Sequence, residues 1–359
     1  MPRFSADQLR KLGLVILERL GAPRDHAELV INTLVDANLV GHDSHGIYYI
    51  VTYAERIRKG IIDPKSLPEI VEESPTTAII DGHWGFGQAT ARKTIEVAIE
   101  KARNMGISAV GAFNCNHIGR LGAYTMIAAE NSMIGILMAN VTHSVVQPYG
   151  GASRVFGSNP ISVAIPAEEM KPFLLDFATS AAAESRIRLA AICGEKIPLG
   201  WIVDKDGRDT DDPNNYSAST TTVENNGRLL SFGGRDGHKG YCLSVLMEIL
   251  GGILTGAGSI IDGEQVHHGN GLMAIVLDVQ RFADRQQFKK KIDTLIQVIH
   301  EKPVDPRFEY AQLQVPGEFE WRNREKRLRD GIDLPDLVWE QIVNLGQELG
   351  VDVKNLPPE

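Results

Sequence analysis

The segment FNCNHIGRLG, residues 113–122, lies between a predicted strand and a predicted helix, and the rest of the chain is organised around it. Before it, residues 106–112 alternate small and β-branched side chains, as buried strands do. After it, residues 123–130 are mostly good helix formers. A helix start offers unpaired N–H groups and a favourable dipole to an anion. His117 and Arg120 therefore suit a carboxylate or phosphate site with acid–base chemistry, or else a helix cap beside a solvent-facing arginine.

The composition indicates a globular protein and excludes several classes of partner. The chain has 359 residues, 43% hydrophobic and 23% charged, enough for two or more structural units. Its net charge of -9 argues against a nucleic-acid or anionic membrane surface. Three widely spaced cysteines indicate neither a disulfide framework nor a thiolate zinc site. The most apolar run, residues 243–253, contains Glu248 and is too short to cross a bilayer. We expect a cytoplasmic enzyme with no nucleic-acid or membrane partner.

The order of predicted elements indicates an α/β protein with helical ends. Ser5 begins a capping box before the first predicted helix, and a second helix is predicted for residues 24–40. Strands and helices alternate from residue 75 to residue 140. A helix is predicted for residues 241–254, and two more, residues 321–330 and 335–349, close the chain. Neither a GxGxxG fingerprint after a strand nor a P-loop occurs. A dinucleotide would therefore bind to the loops of a different fold.

Two further polar segments fit sites of chemistry. GHDSHG, residues 41–46, lies between two predicted helices. His42 and His45 could be a pair of metal ligands, but no third ligand lies nearby in the sequence. A turn with capping side chains and a catalytic role are the other interpretations. GGRDGHKG, residues 233–240, enters a predicted helix and places His238 and Lys239 where a pyrophosphate could bind. A surface loop with solvated charges is the alternative.

Six motifs stand in one order that resembles a known family. Together they are similar to the second sequence type of malate/L-lactate dehydrogenase, which includes sulfolactate, ureidoglycolate and diketogulonate oxidoreductases, and the likeness covers nearly the whole chain. The motifs are GHDSHG (41–46), NHIGR (116–120), FGSNP (156–160), DFATS (176–180), HKGY (238–241) and PGE (316–318).

The resemblance implies a non-Rossmann α/β (α+β) fold with a mixed, largely antiparallel sheet. Residues 1–74 and 301–359 would form a helical domain, and residues 75–300 the NAD(P)-binding domain. It also implies a homodimer with the active site near the subunit interface. The implied reaction is hydride transfer between nicotinamide and a 2-hydroxy acid or 2-oxo acid. We expect NAD as the cofactor. NADP is the alternative, because the sequence has no Rossmann acidic residue whose charge would exclude a 2′-phosphate.

The resemblance also assigns site residues. His117 matches the proton acceptor, and Ser44 with His45 matches a pair at the substrate. Some members instead use the position of His45 as the acid, so the division between the two histidines stays open. No metal site is expected. The implied cofactor-binding residues are His45, Gly119, Arg120, Leu121, Leu174, Leu175, Asp176, Phe177, Ala178, His238, Lys239, Asn270, Gly317, Glu318, Phe319 and Glu320.

The chain departs from the family pattern at two places. Tyr49 stands where many members carry an arginine suited to a second acid group, so we expect a monocarboxylate with an apolar or aromatic side chain rather than malate. Ser185-Arg186 replaces the Gly-Lys that usually follows the ATS motif. Arg120 is the first candidate to bind the substrate carboxylate, or else the pyrophosphate.

Three other functions compete with a 2-hydroxy-acid dehydrogenase. A cyclic imine-2-carboxylate reductase would share the fold and the hydride geometry. A metal-dependent hydrolase or lyase could use His42, His45 and His117. A non-catalytic NAD-binding protein is disfavoured by Ser44, His45, His117 and Lys239 occurring together. A neutral histidine suits the main hypothesis, because it can take the hydroxyl proton while hydride leaves carbon for the nicotinamide.

Overall fold

A computed structural model describes residues 1–216, 226–262, 267, 269–308 and 311–353. The strands are β1 (Arg3–Phe4), β2 (Glu69–Glu73), β3 (Thr77–Asp81), β4 (Ile107–Cys115), β5 (Met133–Val141), β6 (Ile161–Ile165), β7 (Phe173–Phe177), β8 (Ile202–Val203), β9 (Asp209–Thr210), β10 (Arg228–Leu229), β11 (Asn270–Asp278) and β12 (Ile332–Asp333). The helices are α1 (Ala6–Arg19), α2 (Arg24–Leu39), α3 (Tyr49–Arg58), α4 (Gly87–Met105), α5 (Gly122–Glu130), α6 (Glu184–Cys193), α7 (His238–Met247), α8 (Arg285–His300), α9 (Glu318–Asp330) and α10 (Asp336–Glu348). No helix in these ranges is long and apolar enough to cross a membrane.

The central sheet has seven strands in the order β2-β3-β4-β11-β5-β6-β7. Neighbouring strands are antiparallel except β3 and β4, which are parallel. The mixed, largely antiparallel sheet expected from the resemblance is therefore confirmed. Strand β11 lies at its centre although it comes late in the chain, and its buried Leu272, Ala274 and Val276 join the core beneath α4 and α5.

A second core lies among helices from both ends of the chain. Leu9, Leu34 and Tyr53 from the first sixty residues pack in one cluster with Ile332 and Ile342. The short strands β1 and β12 pair antiparallel and tie the two ends together. This shared core fits a helical unit built from both termini. The domain boundaries at residues 74 and 301 stay a prediction, and β2 pairs with β3 in the central sheet.

Two helix predictions differ from the structure. The helix predicted for residues 241–254 is α7 followed by a π-helical segment, Glu248–Ile253. In that segment the buried Glu248 binds Asn159 and the N–H of Ile260, and Gly251 packs so closely on β5 that a Cβ would lie 2.7 Å from the Asn140 nitrogen. Helix α9 begins at residue 318 rather than 321, because Gly317 at φ +104° turns the chain into it.

Candidate active site

Three strands bring their ends to one edge of the central sheet. Strand β4 ends at Cys115 and β5 at Val141, and Asn270, the first residue of β11, pairs with both. His117 and His143 follow β4 and β5 by two residues, so they lie at the same edge. With helices α3 and α6, this edge borders a cavity of about 300 Å³. Its walls include His45, Tyr49, Arg56, His117, Glu184, Arg188 and Asn270.

His117 is held by a hydrogen-bonded chain that leads into the core. The Tyr53 hydroxyl lies 2.8 Å from His117 Nδ1 and 3.5 Å from the His117 carbonyl oxygen. Gln88 Nε2 donates to the same hydroxyl oxygen at 2.7 Å. Tyr53 is 1% exposed and Gln88 is fully buried. In the arrangement that satisfies all three contacts, Nδ1–H donates to the Tyr53 oxygen, and His117 Nε2 stays free to exchange a proton.

The second histidine and an aromatic ring stack on the first. The Tyr49 ring lies 4.2 Å from the His117 ring with 10° between their planes, and the His45 ring lies 5.8 Å from His117 at 16°. Ser44 Oγ lies 3.2 Å from His45 Nδ1. His45 and His117 are thus brought together as the resemblance implies, and Tyr49 supplies the flat apolar wall that an arginine there would not.

Both histidines are kept neutral. Burial lowers the pKa of His45 to about 3, with smaller contributions from His42 and Arg120. Burial also lowers the pKa of His117 well below its ordinary value, followed by repulsion from His45, Arg56 and Arg188. A neutral imidazole can accept a proton, so both rings have a form that can act as a base near pH 7.

The GHDSHG segment is fixed from α2 and α9. Arg327 donates two hydrogen bonds to the Asp43 carboxylate, at 2.6 and 2.8 Å. Asn38 Nδ2 donates to Asp43 at 2.7 Å, while its Oδ1 accepts the N–H of Ile47 at 2.8 Å. His42 Nε2 lies 2.9 Å from Glu320 Oε1, so this histidine is paired with α9. Among the described residues, no group of three or more His, Cys, Asp or Glu could hold a metal ion.

Arg120 does not line the histidine cavity. Its Nη2 donates to Asp36 at 2.9 Å, and its Nη1 lies 3.8 Å from Asp176. Burial alone would raise the pKa of Asp36, but Arg120 and then Arg324 lower it overall. Burial raises the pKa of Asp176 despite Arg120. Arg120 is 6% exposed, and its Nε and Nη1 lack a hydrogen-bond partner within the described ranges.

A second cavity, of about 690 Å³, holds most of the other implied cofactor residues. Apolar Phe177 and Phe319 and acidic Asp176 and Glu320 line it, together with Leu174, Leu175 and Gly317. A Cβ at Gly317 would lie 3.1 Å from Leu174, so glycine keeps this wall open. Aromatic walls for a base and carboxylates for ribose hydroxyls fit the adenosine part of a dinucleotide.

The remaining implied cofactor residues lie elsewhere. Gly119, at φ +76°, and the buried Leu121 flank Arg120, and Ala178 directly follows β7. Glu318 accepts the N–H of Val315 and pairs with His300. His238 and Lys239 begin α7 with exposed side chains and line neither cavity, so their assignment stays a prediction.

Sequence reasoning missed several residues that border the histidine site. Tyr53 and Arg56 follow Tyr49 by four and seven positions on α3, and that helical spacing could have identified them. Glu184 and Arg188 are likewise four apart on α6. Nothing in the local sequence shows that α6 packs opposite α3.

The chain is similar to known proteins over nearly its whole length. The family model for malate/L-lactate dehydrogenase matches residues 4–343. Malate dehydrogenase from Pyrococcus horikoshii is 35% identical over 98% of this chain and 96% of its own length. A crystal structure of malate dehydrogenase from Entamoeba histolytica superimposes with a TM-score of 0.91 at 30% identity, covering 98% of each chain.

The imine-reductase alternative also has a structural neighbour. The structure of delta1-piperideine-2-carboxylate reductase from Pseudomonas syringae superimposes with a TM-score of 0.81 at 27% identity, covering 96% of this chain and all of that one. Relatives named sulfolactate, hydroxycarboxylate and lactate dehydrogenase each match at least 96% of this chain. The chain therefore belongs to the malate/L-lactate dehydrogenase family, and it is a pyridine-nucleotide-dependent oxidoreductase that acts on hydroxy acids.

Proposed function

We propose that the 300 Å³ cavity is the catalytic site and that His117 exchanges the proton of the 2-hydroxy acid. The observation that carries this is the Gln88–Tyr53–His117 chain, which occupies Nδ1 and frees Nε2. The bound nicotinamide supplies or accepts the hydride. In oxidation, neutral His117 removes the hydroxyl proton; in reduction, protonated His117 returns it to the carbonyl oxygen.

We assign His45 and Ser44 to the substrate oxygen beside His117. Ser44 lies at hydrogen-bond distance from His45 Nδ1, which fixes the ring and leaves Nε2 for a substrate or cofactor contact. Because burial lowers the pKa of His45 to about 3, this ring stays a neutral partner at working pH. A neutral imidazole there polarises the carbonyl without competing for the proton.

We propose NAD as the preferred cofactor. Asp176, Asp305 and Glu320 line the 690 Å³ cavity, with Arg322 as the one basic residue among its described walls. Carboxylates accept hydrogen bonds from ribose hydroxyls and repel a 2′-phosphate. The buried Nε and Nη1 of Arg120, which form no hydrogen bond within the described ranges, fit the pyrophosphate instead of the substrate carboxylate.

We also propose that the protein is a homodimer that uses the outer face of α7 and the π-helical segment. Leu246, Ile249 and Ile253 recur there on one helical face, and with Leu254 they are 44% to 61% exposed. A second copy would cover this apolar stripe, as the family resemblance implies. If the parent sediments as a dimer of 39.4-kDa chains and the Ile253→Glu variant sediments as a monomer, the result supports this surface as the dimer interface. A cytoplasmic location stays a prediction.

The proposed function is tested by cofactor binding followed by turnover. Nicotinamide fluorescence with NADH and NADPH gives the cofactor preference. Turnover is then measured on pyruvate, phenylpyruvate, hydroxypyruvate, oxaloacetate and a cyclic imine-2-carboxylate. We expect reduction of 2-oxo acids, lost in His117→Ala with NADH binding kept. Efficient reduction of the cyclic imine alone would favour the reductase alternative. Equal turnover by His117→Ala would contradict the proton-transfer role.

A further inference from the structure

The histidine cavity contains two arginines and one carboxylate that the proposed reaction has not used. Arg56 from α3 and Arg188 from α6 line it. Neither forms an ion pair or a side-chain hydrogen bond with any residue in the described part of the chain. Both lie close enough to contribute to the lowered pKa of His117. A guanidinium without a protein partner at a substrate cavity suits a carboxylate.

The start of α6 adds donors beside these arginines. Ala183 occupies the N-cap position and has no side-chain oxygen. The first N–H groups of this ten-residue helix therefore have no side-chain acceptor from the N-cap residue. Ser185 lines the cavity, is 5% exposed, and its Oγ has no hydrogen-bond partner within the described ranges. A buried hydroxyl at a helix start that has no hydrogen-bond partner in the described ranges indicates a ligand that supplies the missing acceptor.

Glu184 contributes the opposite charge to the same cavity. It lines the wall, and its Oε1 is buried without a hydrogen-bond partner among the described residues. After burial, the charge of Glu184 is the next contribution to the raised pKa of Tyr49, which places this carboxylate near the ring that stacks on His117. Among these three charged groups, the two guanidinium groups and the one carboxylate sum to one net positive charge.

We infer that Arg56 and Arg188 hold the single carboxylate of the substrate, and that Glu184 excludes a second one. This inference rests on the proposed function and narrows its substrate class to monoanionic 2-oxo acids. A monoanion balances the summed charge of Arg56, Arg188 and Glu184, whereas a dianion would place its second carboxylate beside Glu184 in a partly desolvated space. Tyr49 supplies no cation for a second carboxylate, and Glu184 would repel one.

The test compares charge variants with matched controls on the NADH-loaded enzyme. The variants are Arg56→Gln, Arg188→Gln and Glu184→Gln. The controls are Arg58→Gln and Glu195→Gln, exposed positions on α3 and just after α6 that line no part of this cavity. Each protein is assayed with pyruvate and oxaloacetate, and its binding of oxamate, an unreactive monoanion, and malonate, a dianion, is measured by calorimetry.

We expect each arginine variant to weaken oxamate binding and raise the KM for pyruvate at least tenfold, with NADH binding unchanged. Glu184→Gln should raise the ratio of kcat/KM for oxaloacetate over pyruvate at least tenfold and strengthen malonate binding. Controls should stay within twofold of the parent. A Glu184→Gln ratio within twofold of the parent, or arginine variants that bind oxamate normally, would overturn the inference.

The same data separate this inference from the proposed function. If the parent reduces 2-oxo acids but the charge variants behave like the controls, the function stands and the inference fails. If the parent reduces none of them, yet oxamate binding still depends on Arg56 and Arg188, the anion subsite stands and the reaction has been assigned wrongly.

Discussion

Replacing Tyr53 with phenylalanine tests whether the hydrogen-bonded chain orients His117. The change deletes one oxygen and keeps the ring, which is 1% exposed and packs near Phe86. It removes the contacts to His117 Nδ1 at 2.8 Å and Gln88 Nε2 at 2.7 Å. The Gln88 Nε2 donor then loses its hydrogen-bond acceptor. Gln88 is fully buried, and its Oε1 already has no hydrogen-bond partner among the described residues.

The expected magnitudes follow from those contacts. A hydrogen bond to a charged group contributes about 1.5–3 kcal/mol, and the Nδ1 contact has this character when His117 is protonated. Its loss should lower kcat by roughly 10- to 150-fold. The stranded Gln88 donor should lower the free energy of unfolding by about 1–3 kcal/mol.

The assay is steady-state turnover at saturating NADH and 2-oxo acid, with urea unfolding measured in parallel. Tyr124→Phe is the matched control, because the Tyr124 hydroxyl is also buried and donates to the Ile118 carbonyl in the same loop. The control should lose comparable stability and keep kcat within about threefold. A Tyr53→Phe enzyme with kcat within twofold of the parent would refute the orienting role.

Three further predictions test separate parts of the structure. Because the pKa of His45 is about 3 in the fold and about 6.5 in the unfolded chain, only the unfolded chain binds a proton as pH falls through 6.5. Stability is therefore lost on acidification, by up to about 2 kcal/mol between pH 7.5 and 5, and His45→Asn should flatten this part of the urea-unfolding profile. Asp43→Asn weakens the clamp from Arg327, and we expect a higher KM for the 2-oxo acid with an unchanged Kd for NADH. Gly317→Ala forces a side chain at φ +104° against Leu174, so fluorescence titration should show weaker NADH binding with kcat largely kept at saturation.

How far the sequence predicts this site depends on how local each contact is. His117 was predicted because a strand end, a polar loop and a helix start adjoin in the sequence. Its pairing with His45 was predicted only through the family resemblance, since the two histidines are 72 positions apart in the sequence. The position of β11 between β4 and β5, which brings Asn270 to the site, leaves no local signal because strand order is decided by long-range packing.

Arg120 is a second residue whose position in the fold the local sequence does not predict. Its place beside His117 in the sequence favoured a role at the substrate, yet its side chain pairs with Asp36 of α2 and Asp176 of β7. The cations at the histidine cavity come from α3 and α6, whose packing the sequence pattern did not reveal. His117 and Arg120 lie in the loop between β4 and α5, where no regular period fixes the direction of a side chain, so their closeness in sequence could not decide whether Arg120 lines the cavity.

The charges around His117 link substrate binding to proton transfer. Burial is the largest cause of the lowered pKa of His117, and repulsion from His45, Arg56 and Arg188 follows. A carboxylate bound between those arginines cancels part of their repulsion, so the pKa of His117 should rise in the ternary complex. The free enzyme then keeps a neutral base, suited to oxidation, while a bound 2-oxo acid brings the negative charge that stabilises the imidazolium needed to reduce it. The substrate's own carboxylate would thus prepare the acid that protonates its carbonyl oxygen.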